Sequence, residues 1–351
     1  MSPRNLLVIT AILAAACTGT IGAPAGAADA AGPGGGPDAA GADAAPGSPD
    51  AAPQPAGLEV APYFYTWGWG SSTYAFSSLA SMKSKGGPGA VTIAFVLAPD
   101  QSTCKATTEV IDNLADVQAY VAAGGHVKAS FGGADGTYLE SACGDADSLA
   151  AAITDWVTAT GVTDLDFDIE QGTSTSNPTI NARRAAALAK VQQAKGIRVA
   201  FTLPVDPDGL DDLGVAVVQS ALDAGVTISH VNVMTMDYGG GAGDLGQVSI
   251  GSADATAKQL VQMIPGLALA DAYRQVGATP MIGTNDDGNV FSLADATALA
   301  TWAQQHHLGL LAFWAIQRDE PCTSGPDLDQ CSGVNGSTFQ FANVFEAVAG
   351  S

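Results

Sequence analysis

Eight short apolar, β-branched runs recur along this chain, at residues 61–66, 90–97, 126–131, 164–170, 197–203, 229–236, 277–283 and 308–314. Segments with helical periodicity lie between them, at 74–84, 111–123, 147–160, 178–195, 211–225, 253–272 and 292–306, and an eighth follows at 338–349. Strand-then-helix repetition dictates parallel strands joined by crossover helices. Eight such units in about 290 residues have the count and size of an α/β (β/α)8 TIM barrel. A doubly wound sheet is the alternative, but no G-x-G-x-x-G follows the first strand. The expected domain covers residues 58–351. Barrel chemistry sits where strands end, at the C-terminal face.

What precedes residue 58 has a different character. Residues 1–17 carry Arg4, then an apolar run from Leu6 to Ala16 that is too short to span a bilayer, then Cys17. This is a signal-peptide pattern of the bacterial lipoprotein type, with Cys17 as the residue that would carry lipid and Leu13 four residues before it. Residues 18–57 are almost wholly Ala, Gly, Pro, Asp, Ser and Thr. Such a segment buries too little apolar surface to offset its ordering entropy, and it reads as a disordered tether of roughly 35 Å reach. The chain is therefore expected to be exported, either anchored at the cell surface or outer membrane or secreted, and monomeric.

Charge narrows the partners. The 351 residues hold 13 Lys plus Arg against 35 Asp plus Glu, a net charge of −22. Only Arg4 and four Asp precede residue 58, so the acidity belongs to the barrel. A nucleic-acid binder needs cationic side chains to displace counterions, and an anionic membrane surface would repel this chain. Beyond Cys17 there are four cysteines, an even number that suits an oxidising compartment. Cys322 and Cys331 bracket a short Gly/Pro/Asp loop, which favours that pair and leaves Cys104 with Cys143. No C-x2-C or H-x3-H spacing is present, so neither a metal nor a cofactor is expected.

The fourth strand carries the chemistry. In Asp164-Leu165-Asp166-Phe167-Asp168-Ile169-Glu170, alternation puts four acids on one face and three apolar residues on the other. The apolar face suits packing under helices, so the acids point into the barrel. Same-face neighbours are about 6.6 Å apart at Cα, too close for all to ionise when buried. At least one proton is retained, which is what a general acid requires. A calcium loop would need polar residues between the acids, where Leu, Phe and Ile stand.

Here the sequence resembles the family 18 glycoside hydrolases, the chitinases and their relatives. Asp166, Asp168 and Glu170 match the last three acids of the D-x-x-D-x-D-x-E signature, whose first position falls on Thr163. Ser130-Phe131-Gly132-Gly133 matches S-x-G-G on strand 3, and Met236-Asp237-Tyr238 matches Met-x-Tyr on strand 6. Gly239 stands where the family often has Asp, and Trp314 matches the Trp that ends strand 8. The likeness spans about residues 58–349.

The resemblance implies substrate-assisted hydrolysis of β-1,4-linked N-acetylglucosamine chains. Glu170 would be the proton donor. Asp168 would hold the acetamido N–H and share a proton with Asp166 at rest. Tyr238 would donate to the acetamido carbonyl, and Trp314 would floor the sugar. Met236, Asp237 and Asn285 are further substrate-binding candidates, and Ser130, Gly132 and Gly133 would support the acids. Trp67 and Trp69 are stacking platforms or the cap of a loop. The partner is thus chitin or an N-acetylglucosamine oligosaccharide. An endo-β-N-acetylglucosaminidase acting on N-glycans, or a non-catalytic lectin, are the alternatives. Only 32 residues separate Met281 from Trp314, so no extra domain fits there and an open groove is expected.

Overall fold

The computed structural model describes residues 57–322, 328–334 and 336–349. The expected signal peptide at 1–17, all but Gly57 of the 18–57 linker, and Cys17 lie outside the described residues.

The eight strands form one parallel ring. They are β1 (Glu59–Val60 and Tyr63–Tyr65), β2 (Ala90–Val96), β3 (His126–Gly132), β4 (Asp164–Asp168), β5 (Arg198–Pro204), β6 (Ile228–Met234), β7 (Val276–Thr279) and β8 (Leu310–Leu311). Strand β1 closes the barrel by pairing with both neighbours. Its first segment pairs with β8 and its second with β2. Pro62, which has no N–H to give, sits at the interruption, and its carbonyl still accepts from Thr92 at 2.9 Å. Each remaining strand pairs in parallel with the next, as the crossover pattern requires.

One main helix follows each strand: α1 (Leu79–Ser84), α2 (Leu114–Ala122), α3 (Ala146–Thr160), α4 (Pro178–Lys195), α5 (Asp212–Asp223), α6 (Leu245–Met263), α7 (Leu293–His306) and α8 (Gln340–Ala349). Their ends follow local chemistry. Asp145 caps α3 in a capping box with Ser148, and Asn177 caps α4 with Pro178 in its first turn. The helix expected over 253–272 differs most. It begins at Leu245, and a separate turn, Leu269–Arg274, follows it. Gly246, in its first turn, is a packing residue: a Cβ on it would come 2.9 Å from the Asp295 Cα. Ile264-Pro265-Gly266 ends the helix, with Gly266 at φ 80°.

Register explains why β4 alternates. Phe131, Phe167 and Phe201 are paired side by side on β3, β4 and β5. The first two rings stack at 5.3 Å, and Phe131 meets Trp156 of α3 edge-on at 5.2 Å. This aromatic ladder is the layer between sheet and helices. The opposite faces point inward, placing Asp164, Asp166 and Asp168 inside the barrel, all buried. At the N-terminal end Asp164 meets Arg198 at 2.5 Å and His126 at 3.0 Å, and Glu59 lies 3.5 Å from Lys128. This ionic plug closes the end opposite the site. Both expected disulfides are present, Cys104–Cys143 and Cys322–Cys331.

Candidate active site

The C-terminal end of β4 is held by its neighbours. Ile169 donates its N–H to Thr202 O at 3.0 Å, and Gly133 N–H bonds to Asp168 O at 3.0 Å. Gly132 has φ 113°, and a Cβ on it would sit 2.0 Å from that same Asp168 carbonyl. Gly133, at φ 99°, would drive a Cβ into the Phe95 ring at 2.7 Å. Both positions require glycine, which gives the S-F-G-G run its physical meaning.

Asp166 lies deepest of the three site acids and is saturated by hydroxyls. Ser130 Oγ donates at 2.7 Å, Thr202 Oγ1 at 2.8 Å and Tyr63 OH at 3.1 Å. Burial pushes its carboxyl upward, against the pull of these donors. Burial also pushes Asp168 well above the usual range, with the charges of Glu170 and Asp166 adding to it. Glu170 is raised by burial too, and by Asp135 and Asp237. The Asp168 and Glu170 carboxyls perturb each other, so they titrate as a pair. Asp168 Oδ1 has no partner although it is buried.

These groups open onto a cleft of about 590 Å³. Trp314 lies on its floor, stacked on Phe95 at 5.6 Å and tilted against Tyr63 at 5.9 Å. Trp67, 51% exposed, stacks on Tyr65 at 4.4 Å and donates its Nε1–H to Tyr74 OH at 3.0 Å. Met234, Met236 and Met281 supply apolar lining, and Asp237 faces the cleft from the loop after β6. Among the described lining residues are seven carboxylates and no Lys or Arg: Glu109, Asp135, Asp168, Glu170, Asp237, Asp286 and Asp329.

Three candidates are placed elsewhere. Tyr238 does not line the cleft; its hydroxyl pairs with Ser252 Oγ of α6 at 2.8 Å. The cause is Asp237, whose φ of 53° breaks strand alternation and turns the next side chain toward the helix layer. Trp69 packs on Phe64 at 5.5 Å and donates to Asp116 at 2.8 Å, so it caps a loop. Asn285 is buried; its amide donates to Met281 O and Gly283 O, and its side-chain carbonyl accepts from Asp237 N–H. Its neighbour Asp286 faces the cleft instead.

Three contributors escaped the sequence reading. Tyr63 and Thr202 complete the cradle of Asp166. Tyr138 donates to Gly133 O at 2.7 Å and accepts Glu170 N–H at 3.0 Å. Thr202 lies in register with Asp168, a signal that appears only once strands are aligned.

No family model matches the chain. It is 34% identical over 277 residues to the probable bifunctional chitinase/lysozyme of Escherichia coli (strain K12), covering 72% of this chain and 31% of that protein. It is 37% identical over 248 residues to endochitinase 11 of Metarhizium anisopliae, covering 66% of this chain and 47% of the relative. The chain thus spans about a third to a half of the length of these relatives. Among solved structures, the catalytic domain of the hyperthermophilic chitinase from Pyrococcus furiosus superposes with a TM-score of 0.73 at 31% identity, over 87% of this chain and 99% of that one. The fold also matches a family GH18 chitinase from Chromobacterium violaceum, with a TM-score of 0.57 at 13% identity, over 84% of each chain. With full coverage of a solved catalytic domain at that identity, and an acidic strand ending at the barrel's mouth, the chain belongs to the family 18 glycoside hydrolases.

Proposed function

We propose that the domain is a chitinase, hydrolysing β-1,4-linked N-acetylglucosamine chains with retention through the substrate's own acetamido group. The observation that carries this reading is Asp168: buried, beside Glu170 on the same face of β4, and with one carboxylate oxygen left without a partner at the cleft. An acetamido N–H is the donor that this oxygen lacks. Its arrival favours ionised Asp168 and leaves the proton on the raised carboxyl of Glu170, so the substrate arms its own acid.

Glu170 then protonates the glycosidic oxygen as the acetamido carbonyl oxygen attacks the anomeric carbon. The electron pair of the breaking bond leaves with the departing sugar. The resulting oxazolinium cation is stabilised by ionised Asp168 in a low-dielectric site. Glu170, now a carboxylate, takes a proton from water as that water opens the ring. Trp314 supports the sugar on its face. Asp166, held by three hydroxyls, keeps Asp168 in place and opposes its premature ionisation.

The test is hydrolysis of a chitin oligosaccharide by the protein and by Glu170→Gln, with the product anomer followed by NMR. Cleavage giving the β-anomer first, lost in the variant, supports the reading. Inverted product, or equal turnover by the variant, overturns it. Export and anchoring through Cys17 rest on the N-terminal pattern alone. Incorporation of a labelled fatty acid that disappears in Cys17→Ser is the corresponding check.

A further inference from the structure

We propose that Asn232, on β6 beneath the cleft floor, is a positioning residue for the reaction: it directs the Thr202 hydroxyl onto Asp166 and so keeps the proton of the acid strand on Asp168 and Glu170. This rests on the catalytic reading above.

A barrel core is ordinarily filled by branched apolar side chains. Here a continuous polar cluster crosses it. Tyr63 of β1, Ser130 of β3, Asp166 of β4, Thr202 of β5, Asn232 of β6 and Thr279 of β7 are each at most 2% exposed. Asn232 does not line the cleft, so it acts on a substrate only through its neighbours. Thr202 lies beside it in register. Thr279 Oγ1 sits on the edge of the Asn232 amide, donating to the carbonyl oxygen at 2.9 Å and lying 2.7 Å from Nδ2. That contact fixes the amide plane. Nδ2 then faces Thr202 Oγ1 at 3.0 Å and Tyr63 OH at 3.4 Å.

Polarity is what this arrangement sets. The Thr202 and Tyr63 oxygens are 2.8 Å apart, and each carries one proton. Either could give that proton to the other and leave Asp166 a donor short. The amide nitrogen can only donate, so it occupies a lone pair of Thr202 and turns the Thr202 O–H onward, to Asp166 Oδ1 at 2.8 Å. Thr279, Asn232 and Thr202 thus form a chain in which every group donates toward Asp166, and such chains strengthen each member. A hydrogen bond to the carboxylate favours its ionised form. Several charged groups also face Asp166 or lie near it. Asp168 is its neighbour on β4, and Lys128 of β3 pulls its carboxyl down. Arg198 of β5 is paired with Asp164, and burial keeps His230 of β6 neutral. The Tyr63 phenol of β1 is held neutral by burial and by the two acids. Asn232 and Thr279 carry no charge, so they change Asp166 through hydrogen bonding alone. Without them Asp166 competes for protons, and the strand takes up a second one at higher pH, which blocks ionisation of Asp168.

The experiment is the pH profile of kcat/KM on a chitin oligosaccharide for the wild type, Asn232→Leu, Thr279→Val and Thr279→Ser. Loss of one hydrogen bond to the carboxylate moves the acid limb up by about half to one pH unit. That shift is expected in Asn232→Leu and Thr279→Val, with the alkaline limb in place, and Thr279→Ser should keep the wild-type acid limb. A lower kcat with both limbs unmoved in Asn232→Leu and Thr279→Val would be a purely structural effect and overturns the inference. Thr279→Val preserves side-chain shape, so it decides alone if Asn232→Leu does not fold. If the wild type cleaves no oligosaccharide, the catalytic reading fails, and urea denaturation from pH 3 to pH 8 decides the role of Asn232 separately. Donors to a carboxylate stabilise only its ionised form, so the stability gap between wild type and Thr279→Val should narrow as pH falls through the Asp166 range. A gap independent of pH overturns the inference there too.

Discussion

The Tyr138 hydroxyl accepts the backbone N–H of Glu170 at 3.0 Å while donating to the Gly133 carbonyl at 2.7 Å. One buried side chain therefore ties the backbone of the proposed proton donor to the loop that carries the paired glycines. Tyr138→Phe keeps the ring and removes both bonds. A misplaced acid lowers the chemical step more than binding, so kcat should fall by about one to two orders of magnitude with KM little changed. Two buried backbone groups lose a partner, at a cost of about 1–3 kcal/mol each. Steady-state kinetics and urea denaturation on the same preparation check both parts.

Asp237 acts on Glu170 through its charge. Burial raises the Glu170 carboxyl, and the Asp135 and Asp237 carboxylates raise it further. The acid must be protonated to work, so its pKa sets the alkaline limb of kcat/KM. Asp237→Asn removes a negative neighbour, lowers the Glu170 pKa and moves that limb toward lower pH. Asp135→Asn should move it the same way. A pH profile of each variant against the wild type is the measurement, and a limb that stays in place or moves upward contradicts the assignment.

Periodicity carried the sequence reading well where backbone stayed regular. The eight strands and the inward acids of β4 follow from alternation, and the Phe131–Phe167–Phe201 ladder shows why. The reading failed where strands end. The Met236-Asp237-Tyr238 motif implied a cleft position for Tyr238, but the left-handed Asp237 turns its hydroxyl to Ser252. The 3-10 turn Thr66–Gly68 similarly separates Trp67, in the cleft, from Trp69 on Asp116. Tyr63, Thr202 and Tyr138 were invisible for another reason. A lone Tyr or Thr is an ordinary residue, and its role here depends on partners 32 to 139 residues away.

The Cys104–Cys143 bridge joins the loop after β2 to the loop after β3. Leu97, Thr107 and Glu109 form cleft wall on the same β2 loop. Arg183 donates to the Glu140 and Cys143 carbonyls at 2.8 and 2.7 Å, so the second loop is anchored independently. Cys104→Ser/Cys143→Ser should therefore loosen chiefly the β2 wall. KM is expected to rise several-fold while kcat holds. A 39-residue separation corresponds to about 4 kcal/mol in the chain-entropy account of disulfides. Thermal denaturation and oligosaccharide kinetics of the variant read the two effects independently.

At the opposite end of the barrel, Asp164 predicts an acid limit to stability. Burial would raise its carboxyl, but Lys128, His126 and Arg198 outweigh burial and hold it down to about 2, from 3.8. A group depressed on folding stabilises the native state above its unfolded pKa, and that contribution is lost as pH falls through the folded value. The window is therefore about pH 4 to pH 2, and the contribution is about 2 kcal/mol. Asp164→Asn should be less stable than the wild type at neutral pH, since it leaves Arg198 and Lys128 with one carboxylate fewer in a buried setting. The gap should narrow steadily below pH 4. Asp166, Asp168 and Glu170 shift the opposite way, so the absolute pH dependence mixes both kinds of group. The difference between wild type and variant cancels them. Urea denaturation of both proteins across this range isolates the Asp164 contribution, and a gap independent of pH would mean that the carboxylate is not held by those three neighbours.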